Sequence, residues 1–516
     1  MEYQTERMKL YSTPSKRLDE YIGTNLHPSR EFQDNVCDAV NRICSFLREK
    51  CDLYMDASVI KTIKAGSTGK GTTLDTSSDV DLVIFLSCFS NFQDQVEKRE
   101  CVIKDIEKNL NRCIQTIAFK VDVFPPRKKG TRSLQLHIQA KKKTELIEVD
   151  ILPAYDALGQ ITFTYVPPLK VYIELIEANG QPGEFNTSFT ELQRNFVKRC
   201  PAKLKDLLRL VKHWYKEIKK QSSTSSKFPP KFALELLTIY AWEEAEGGEQ
   251  FNTAEGFCTV MKLITRYQDL CLFWTKYYPL DNSKVGLHVK GKLRESRPVI
   301  IDPADPTANV AKANSGAWGL LAQKASDCLR QPCCMKDEQP IKPWNVQPTR
   351  DIKVTVKHHT GTSAIISCSP FESIKWVKEK FGKEGLICEL YLEETVQENI
   401  ALQNDKRLAD YGIFFNTTFW LLYSTSQMLN IFVKDLNSRT KSYTVSSRET
   451  VLGLKKMIEA RIQVVVNEQR LTYQDKELED GKTLAYYKIR NNDTVYLLLR
   501  LRGGHWNGME NELELQ

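Results

Sequence analysis

Apolar positions recur at helical spacing through residues 31–50, where Phe32, Val36, Ala39, Val40, Ile43, Phe46 and Leu47 form one stripe with charges between them. The chain up to residue 60 therefore reads as helical. An apolar strand begins near Asp79, and a second amphipathic helix follows over 94–115. Strand-like stretches come next at 118–124, 134–140 and 145–152, with basic turns such as 127–130 between them. From 188 to about 344 the period is helical again, over 190–199, 203–220, 232–244 and 253–277. Pro201 separates the first two of these helices, because proline suits a first helical turn but not an interior. The Ser- and Lys-rich stretch 221–227 reads as a loop, and 302–307, broken by prolines, cannot be regular helix.

Beyond a proline-bearing linker at 339–350 the pattern repeats itself. Leu408-Ala-Asp-Tyr-Gly-Ile413 matches Leu484-Ala-Tyr-Tyr-Lys-Ile489 at an offset of 76 residues, which Thr418 and Thr494 keep. The helical triplet Ile374, Val377 and Phe381 answers to Val451, Leu454 and Ile458. Each unit reads strand, strand, helix, strand, turn, strand, a tandem pair rather than a solenoid. The expected divisions are 1–187, a helical 188–345, the repeats at 351–426 and 429–504, and a short tail, 505–516.

Composition narrows the class only modestly. With 516 residues, 41% hydrophobic and 27% charged, the chain is globular and too long for one core. A net charge of +8 is small for this length, so a nucleic-acid partner must be argued from local clusters. The charged N-terminus lacks an apolar signal region, and no run is long enough to span a membrane. The fourteen cysteines are scattered, Cys333 and Cys334 are adjacent, and no C-x-x-C pair occurs. That spacing argues against structural zinc and for reduced thiols in the cytoplasm, with the nucleus a second compartment.

The chemistry concentrates in residues 66–86. Gly66, Ser67, Gly69 and Gly71 form a loop whose backbone can approach phosphates closely. The strand that follows places Asp79 and Asp81 on one face and Val80, Leu82 and Ile84 on the other. Two carboxylates on one strand face repel unless a cation lies between them, which points to a magnesium-nucleotide site. Two-metal phosphoryl chemistry needs a further carboxylate, and Asp150 is the best candidate. In its strand Ile147, Val149 and Ile151 alternate with Glu148 and Asp150. A P-loop is excluded, because the glycine spacing differs and the loop leads to a strand instead of a helix.

Seven ordered blocks then carry a resemblance. They are Gly66-Ser-Thr-Gly-Lys-Gly-Thr-Thr-Leu74, Ser78-Asp-Val-Asp-Leu82, the stretch 150–159, Phe189-Thr-Glu-Leu-Gln193, Leu210-Val-Lys-His-Trp-Tyr215, the stretch 233–242, and Asp302-Pro-Ala-Asp-Pro-Thr307. With them, residues from about 10 to 345 resemble the 2′-5′-oligoadenylate synthetases, interferon-induced antiviral nucleotidyltransferases switched on by double-stranded RNA. The resemblance implies Mg²⁺ held by Asp79, Asp81 and Asp150, with Asp150 helping to deprotonate the attacking 2′-hydroxyl. It implies that Gly66, Ser67 and Lys212 meet the ATP phosphates, and that Lys231 and Phe232 help hold the nucleotide. At those last two positions typical members carry Gln-Tyr, which leaves nucleotide affinity or base preference open. The tetramer patch of one family branch is replaced by Cys333-Cys-Met335.

Two consecutive helices also crowd Lys198, Arg199, Lys203, Lys205, Arg209, Lys212, Lys216, Lys219 and Lys220. Such a sequence-blind basic surface suits double-stranded RNA, which is read through phosphates and 2′-hydroxyls. By the resemblance, the RNA contacts match Lys61, Lys64, Arg194, Lys198 and Lys203. Residues 429–504 are similar to ubiquitin, through Ile431-Phe-Val-Lys434, Gln469-Arg-Leu471, Leu478-Glu-Asp-Gly-Lys-Thr-Leu484 and Leu499-Arg-Leu-Arg-Gly-Gly504, with a helix at 450–460. Residues 352–424 resemble a more diverged copy. The match to ubiquitin's partner patch falls on Leu436, Thr472 and Leu498, and residues 505–516 beyond Gly-Gly favour non-covalent docking of proteins over conjugation.

The expected fold is α+β: a nucleotidyltransferase lobe and a helical lobe, followed by two ubiquitin-like β-grasp domains. Two functions are implied, an RNA-activated synthetase polymerising ATP with pyrophosphate release, or a catalytically silent RNA-sensing adaptor acting through its tail. Family members with such tails include both kinds.

Overall fold

The computed structural model describes residues 9–49, 51, 53, 56–75, 79–113, 119–124, 131–140, 146–221, 228–245, 247–313, 316–358, 361–382, 386–393, 401–425, 428–435 and 437–499. Its contacts group the chain into two units, one of 1–352 with 367–371 and 408–416, the other of 353–366, 372–407 and 417–516.

The first unit opens with α1 (Leu18–Asn25), α2 (Arg30–Glu49), β1 (Val59–Lys64), the short α3 (Gly66–Lys70), β2 (Asp79–Leu86) and α4 (Phe92–Cys113). Then come β3 (Phe119–Phe124), β4 (Leu134–Ala140) and β5 (Leu146–Ala154). These strands form one sheet in the order β1-β2-β5-β4-β3. The central β2–β5 pair is parallel and its neighbours are antiparallel. Val80, Leu82, Ile84, Ile147, Val149 and Ile151 bury one sheet face under the apolar stripes of α2 and α4. Period-2 alternation therefore turns the acidic residues of β2 and β5 to the other face.

Two features of this part depart from the sequence expectation. Val59–Lys64 begins in the stretch read as helical but is the edge strand of the sheet, with Ile63 its one buried residue. Pairing with β2 imposes a conformation that its weak pattern does not announce. The expected Gly/Ser loop is a single helical turn, α3, ended by Gly71 in the left-handed region at φ 76°.

The helical lobe comprises α5 (Leu169–Glu177), α6 (Thr190–Lys198), α7 (Ala202–Gln221), α8 (Lys231–Glu244), α9 (Thr253–Thr265), β6 (Cys271–Leu272), α10 (Ser283–Leu293), β7 (Val299–Ile300) and α11 (Ala317–Cys328), with a small ribbon of β8 (Met335–Lys336) and β9 (Gln339–Pro340). Leu204, Leu207, Val211, Trp214, Leu236, Leu237, Val260 and Ile264 join its core. The helix expected over 253–277 stops at Thr265, because the apolar run at Leu270–Leu272 is a buried strand pairing with β7. The proline-bearing segment at 339–350 is no loose tether. Trp344 N–H donates to Thr259 Oγ1 at 2.8 Å, and Arg350 pairs with Glu243 and Glu244 at 2.8 and 2.7 Å.

The second unit carries the repeat. Its first half has β10 (Ile352–His358), β11 (Ser363–Cys368), α12 (Ile374–Glu379), β12 (Leu386–Leu392) and β13 (Thr417–Thr425), in sheet order β11-β10-β13-β12. The other half has β14 (Met428–Lys434), β15 (Thr440–Ser446), α13 (Val451–Ile462), β16 (Gln469–Tyr473), β17 (Lys476–Glu477) and β18 (Thr494–Leu499), in the order β15-β14-β18-β16-β17. In each, the first and last strands run parallel side by side. Ile374 and Val377 in one helix, and Val451, Leu454 and Ile458 in the other, are fully buried. Thr472 and Leu498 of the expected partner patch are half-buried, whereas Leu436 and residues 500–516 lie outside the described residues.

Candidate active site

The acidic face of the sheet opens into a cleft of about 530 Å³ between the sheet and the helical lobe. Gly66, Ser67, Lys70, Asp79, Asp81, Glu148, Asp150, Gln193, Arg194, Lys231, Phe232 and Glu235 are among its lining residues. In the parallel ladder Asp79 stands beside Glu148 and Asp81 beside Asp150. Adjacent strands lie about 4.8 Å apart, so the Asp81 and Asp150 carboxylates are immediate neighbours. Gly66 closes one wall. A Cβ there would meet Asp81 Oδ2 at 2.1 Å, and its φ is +58°, so this position requires glycine on both counts. Ala65 N–H donates to the Asp81 carbonyl at 2.8 Å and ties α3 to β2.

Burial and crowding shape the carboxylates. Asp150 is pushed up to about 6, first by burial and then by Asp81, Asp79 and Glu148. Asp81 is raised by burial and by Asp79, while Lys70 and Lys231 act the other way. A group of oxygen donors that resist sharing one face suits a hard divalent cation such as Mg²⁺. Lys231 already serves as a partial counter-ion, its Nζ lying 3.2 Å from Asp79 Oδ2.

Behind the cleft is a buried ionic network that the sequence did not announce. Glu235 receives Lys70 at 2.8 Å and Lys212 at 3.0 Å, and all three side chains are buried. Although desolvation opposes it, the two ammonium groups hold the Glu235 carboxyl down at about 2. Lys212 is not a lining residue of the cleft. Its Nζ donates to Ser67 Oγ at 2.9 Å and to the Thr72 carbonyl at 2.9 Å, so it positions the glycine motif from behind. Lys70 faces the cleft, 3.8 Å from the Phe232 ring centroid. Lys70 sat in the quoted motif, but Glu235 lies far along the chain, and only folding pairs them.

The five basic residues expected to meet RNA are not equivalent. Lys61 Nζ is held by Asp156 at 2.9 Å, Glu191 at 2.8 Å and the Gly159 carbonyl at 2.7 Å. Lys203 pairs with Asp19 at 2.6 Å, and Lys64 donates to Cys37 Sγ at 3.4 Å. Arg194 reaches Glu191 at 3.7 Å and also lines the cleft. Lys198 is exposed at the end of α6. Lys61 and Arg194 thus converge on one carboxylate, while Lys203 stands at the start of the next helix.

Comparison with known proteins identifies the domains. Residues 43–165 match the nucleotidyltransferase domain model, 165–349 match the model of 2′-5′-oligoadenylate synthetase 1, domain 2, C-terminus, and 431–502 match the ubiquitin family. Fold and cleft thus define a core of the nucleotidyltransferase superfamily joined to a ubiquitin-like domain. The chain is 41% identical over 501 residues to mouse 2′-5′-oligoadenylate synthase-like protein 2, covering 95% of this chain and 98% of that one. It is 38% identical over 506 residues to rat 2′-5′-oligoadenylate synthase-like protein 1, covering 96% and 98%. Rat 2′-5′-oligoadenylate synthase 1A is 45% identical over 346 residues, 66% of this chain and 96% of that protein. The chain belongs to the 2′-5′-oligoadenylate synthetase family.

Proposed function

We propose that the core joins ATP into 2′-5′-linked oligoadenylates when double-stranded RNA is bound. A 2′-hydroxyl attacks the α-phosphorus of ATP, a 2′-5′ phosphodiester forms, and pyrophosphate leaves. The observation that carries this reading is the register of Asp79, Asp81 and Asp150 on one open sheet face. These three carboxylates would hold Mg²⁺, which when bound lowers the pKa of the attacking hydroxyl and neutralises triphosphate charge. Asp150, beside Asp81 in the ladder, is the group that accepts the hydroxyl proton. Ser67, fixed by Lys212, offers its hydroxyl to a phosphate oxygen, and Lys70 supplies positive charge beside it. Lys231 and Phe232 border the nucleotide.

A specific observation also supports a second reading, an RNA-sensing adaptor with a silent core that acts on protein partners through its ubiquitin-like tail. Lys231 places a protein cation on Asp79, where the first reading needs metal. One experiment separates the two: incubation of the full chain with labelled ATP, Mg²⁺ and long double-stranded RNA. Oligomers resistant to 3′-5′-specific nucleases, and lost in Asp79→Ala, are expected of the synthetase. Absence of product at saturating RNA would sink it and leave the adaptor.

A further inference from the structure

Outside the cleft, the helical lobe gathers thiols that the sequence scatters. Cys328 ends α11, and Cys333 and Cys334 follow on a single 3₁₀ turn over Pro332–Cys334. Their three Sγ atoms lie within 4.8 Å of one another, and the Cys333–Cys334 pair is 4.0 Å apart. Cys258 lies on α9, which packs against this turn, and its Sγ stands outside the 4.8 Å group. All four residues are 0–1% exposed.

Adjacent residues in extended chain point to opposite faces. Here Pro332 opens a tight turn that brings Cys333 and Cys334 to the same side, towards the end of α11 and the flank of α9. In tetrahedral coordination with metal–sulfur bonds of about 2.3 Å, neighbouring sulfurs are separated by about 3.8 Å. The group of three sulfurs approaches that spacing, and a side-chain movement of Cys258 from the flank of α9 would bring the fourth. As a purely apolar cluster the same thiols gain little, because S–H is a weak donor and a weak acceptor.

We propose that Cys258, Cys328, Cys333 and Cys334 form a structural thiolate site for a soft d¹⁰ metal ion, with Zn²⁺ the expected occupant. Each thiol releases its proton to solvent on ligation, and the sulfur lone pair forms the metal bond without any change of oxidation state. Tyr11 sits on the Leu10–Ser12 turn, which packs against the Pro332–Cys334 turn, and its hydroxyl oxygen accepts the Trp214 indole N–H at 3.2 Å, which leaves its own proton to donate. With Cys258 drawn in, four protein ligands would close the shell, making the site structural with no position for substrate. It cross-links α9, α11 and the turn that feeds residues 339–350. It also anchors the N-terminal segment, since Ser15 Oγ donates to the Met335 carbonyl at 2.6 Å next to the turn. The vicinal pair and the spacing from Cys258 hide the site from any C-x-x-C search, which is why the sequence argued against zinc.

The test is metal analysis of the full chain purified under reducing conditions without chelator. About one zinc per chain is expected, falling below about 0.2 in Cys333→Ser/Cys334→Ser together with a lower melting temperature. Copper at the same stoichiometry supports the thiolate site and corrects its occupant. Because that double variant can fail to fold, Cys258→Ser is the companion. It keeps three ligands and should retain metal but lose it to a competing chelator at least about tenfold more readily. Refolding with Co²⁺ should give a near-ultraviolet thiolate-to-cobalt band and the visible bands of tetrahedral cobalt. Native chain with under about 0.1 metal per molecule, fully titratable thiols and no cobalt band would overturn the proposal. A disulfide among these cysteines in the purified chain would overturn it equally.

Discussion

Lys231→Gln tests whether a protein cation competes with metal at the carboxylate face. Lys231 Nζ lies 3.2 Å from Asp79 Oδ2, and the two side chains are 38% and 54% exposed. At such exposure the pair itself contributes only about 0.2–1 kcal/mol. A divalent ion on the aspartates would also feel the ammonium about 4–5 Å away, a repulsion of about 1–2 kcal/mol at near-water dielectric before salt screening. Removing the charge should therefore favour metal by about 1–2 kcal/mol net, tightening Kd about 5–30-fold. The assay is Mn²⁺ titration of the full chain, followed by electron paramagnetic resonance, without nucleotide or RNA. Metal alone is used because Lys231 also borders the expected triphosphate, where its loss would weaken binding and mask the gain. Lys231→Arg should stay near wild type, and the difference should shrink at high salt. An unchanged or weaker Mn²⁺ affinity in Lys231→Gln, with an unaltered melting temperature, would refute the competition.

Other outcomes follow from the buried charges. Glu235→Gln leaves the Lys70 and Lys212 ammonium groups short of their shared carboxylate and should cost about 3–5 kcal/mol in denaturant unfolding. Because the folded carboxyl is depressed to about 2, its stabilisation is present above the ordinary carboxylate range and lost as pH falls towards 2. Asp302 has the opposite sign. Burial and Asp305 raise it to about 7, so the folded state holds a proton that the unfolded state releases, and stability declines as pH rises from about 4 to 7. Asp302→Asn should flatten that slope in unfolding curves taken across the window. On the RNA side, Lys198→Gln should weaken double-stranded RNA about 3–10-fold and lower the salt slope by about 1, read by anisotropy over a salt series.

Alternation made the acidic face legible in the sequence. Ile147, Val149 and Ile151 had to face a core, so Asp150 had to face away, and the same held for Asp79 and Asp81. The repeat was legible because both helices keep the same buried stripe. What the sequence could not show were partners distant along the chain. Lys212 reads as a cation of a basic helix, and by the resemblance as a phosphate contact, until Glu235 and Ser67 are brought to it. Lys61 and Lys203 read as free phosphate ligands until Asp156, Glu191 and Asp19 are seen to hold them. The end of α9 was missed because pairing of Cys271–Leu272 with β7 overrode an apolar run that suited helix equally well.

Those captured lysines bear on how RNA could reach the cleft. Glu191 is 8% exposed and holds both Lys61, at 2.8 Å, and Arg194, at 3.7 Å. Arg194 Nε is buried and lacks a hydrogen-bond partner among the described residues, so its guanidinium is under-used where it stands. A phosphate that drew Lys61 away would leave a buried carboxylate short of charge, at a cost of several kcal/mol, unless Arg194 closed on it. Closing would shift a side chain that lines the acidic cleft. The hypothesis is therefore that Glu191 couples RNA to nucleotide through exchange of cations and not through the phosphate contact alone. Coupling is reciprocal, so it is measured as the factor by which RNA tightens ATP binding at equilibrium. In Glu191→Gln that factor should fall towards one even where RNA still binds, and a factor equal to wild type would rule Glu191 out.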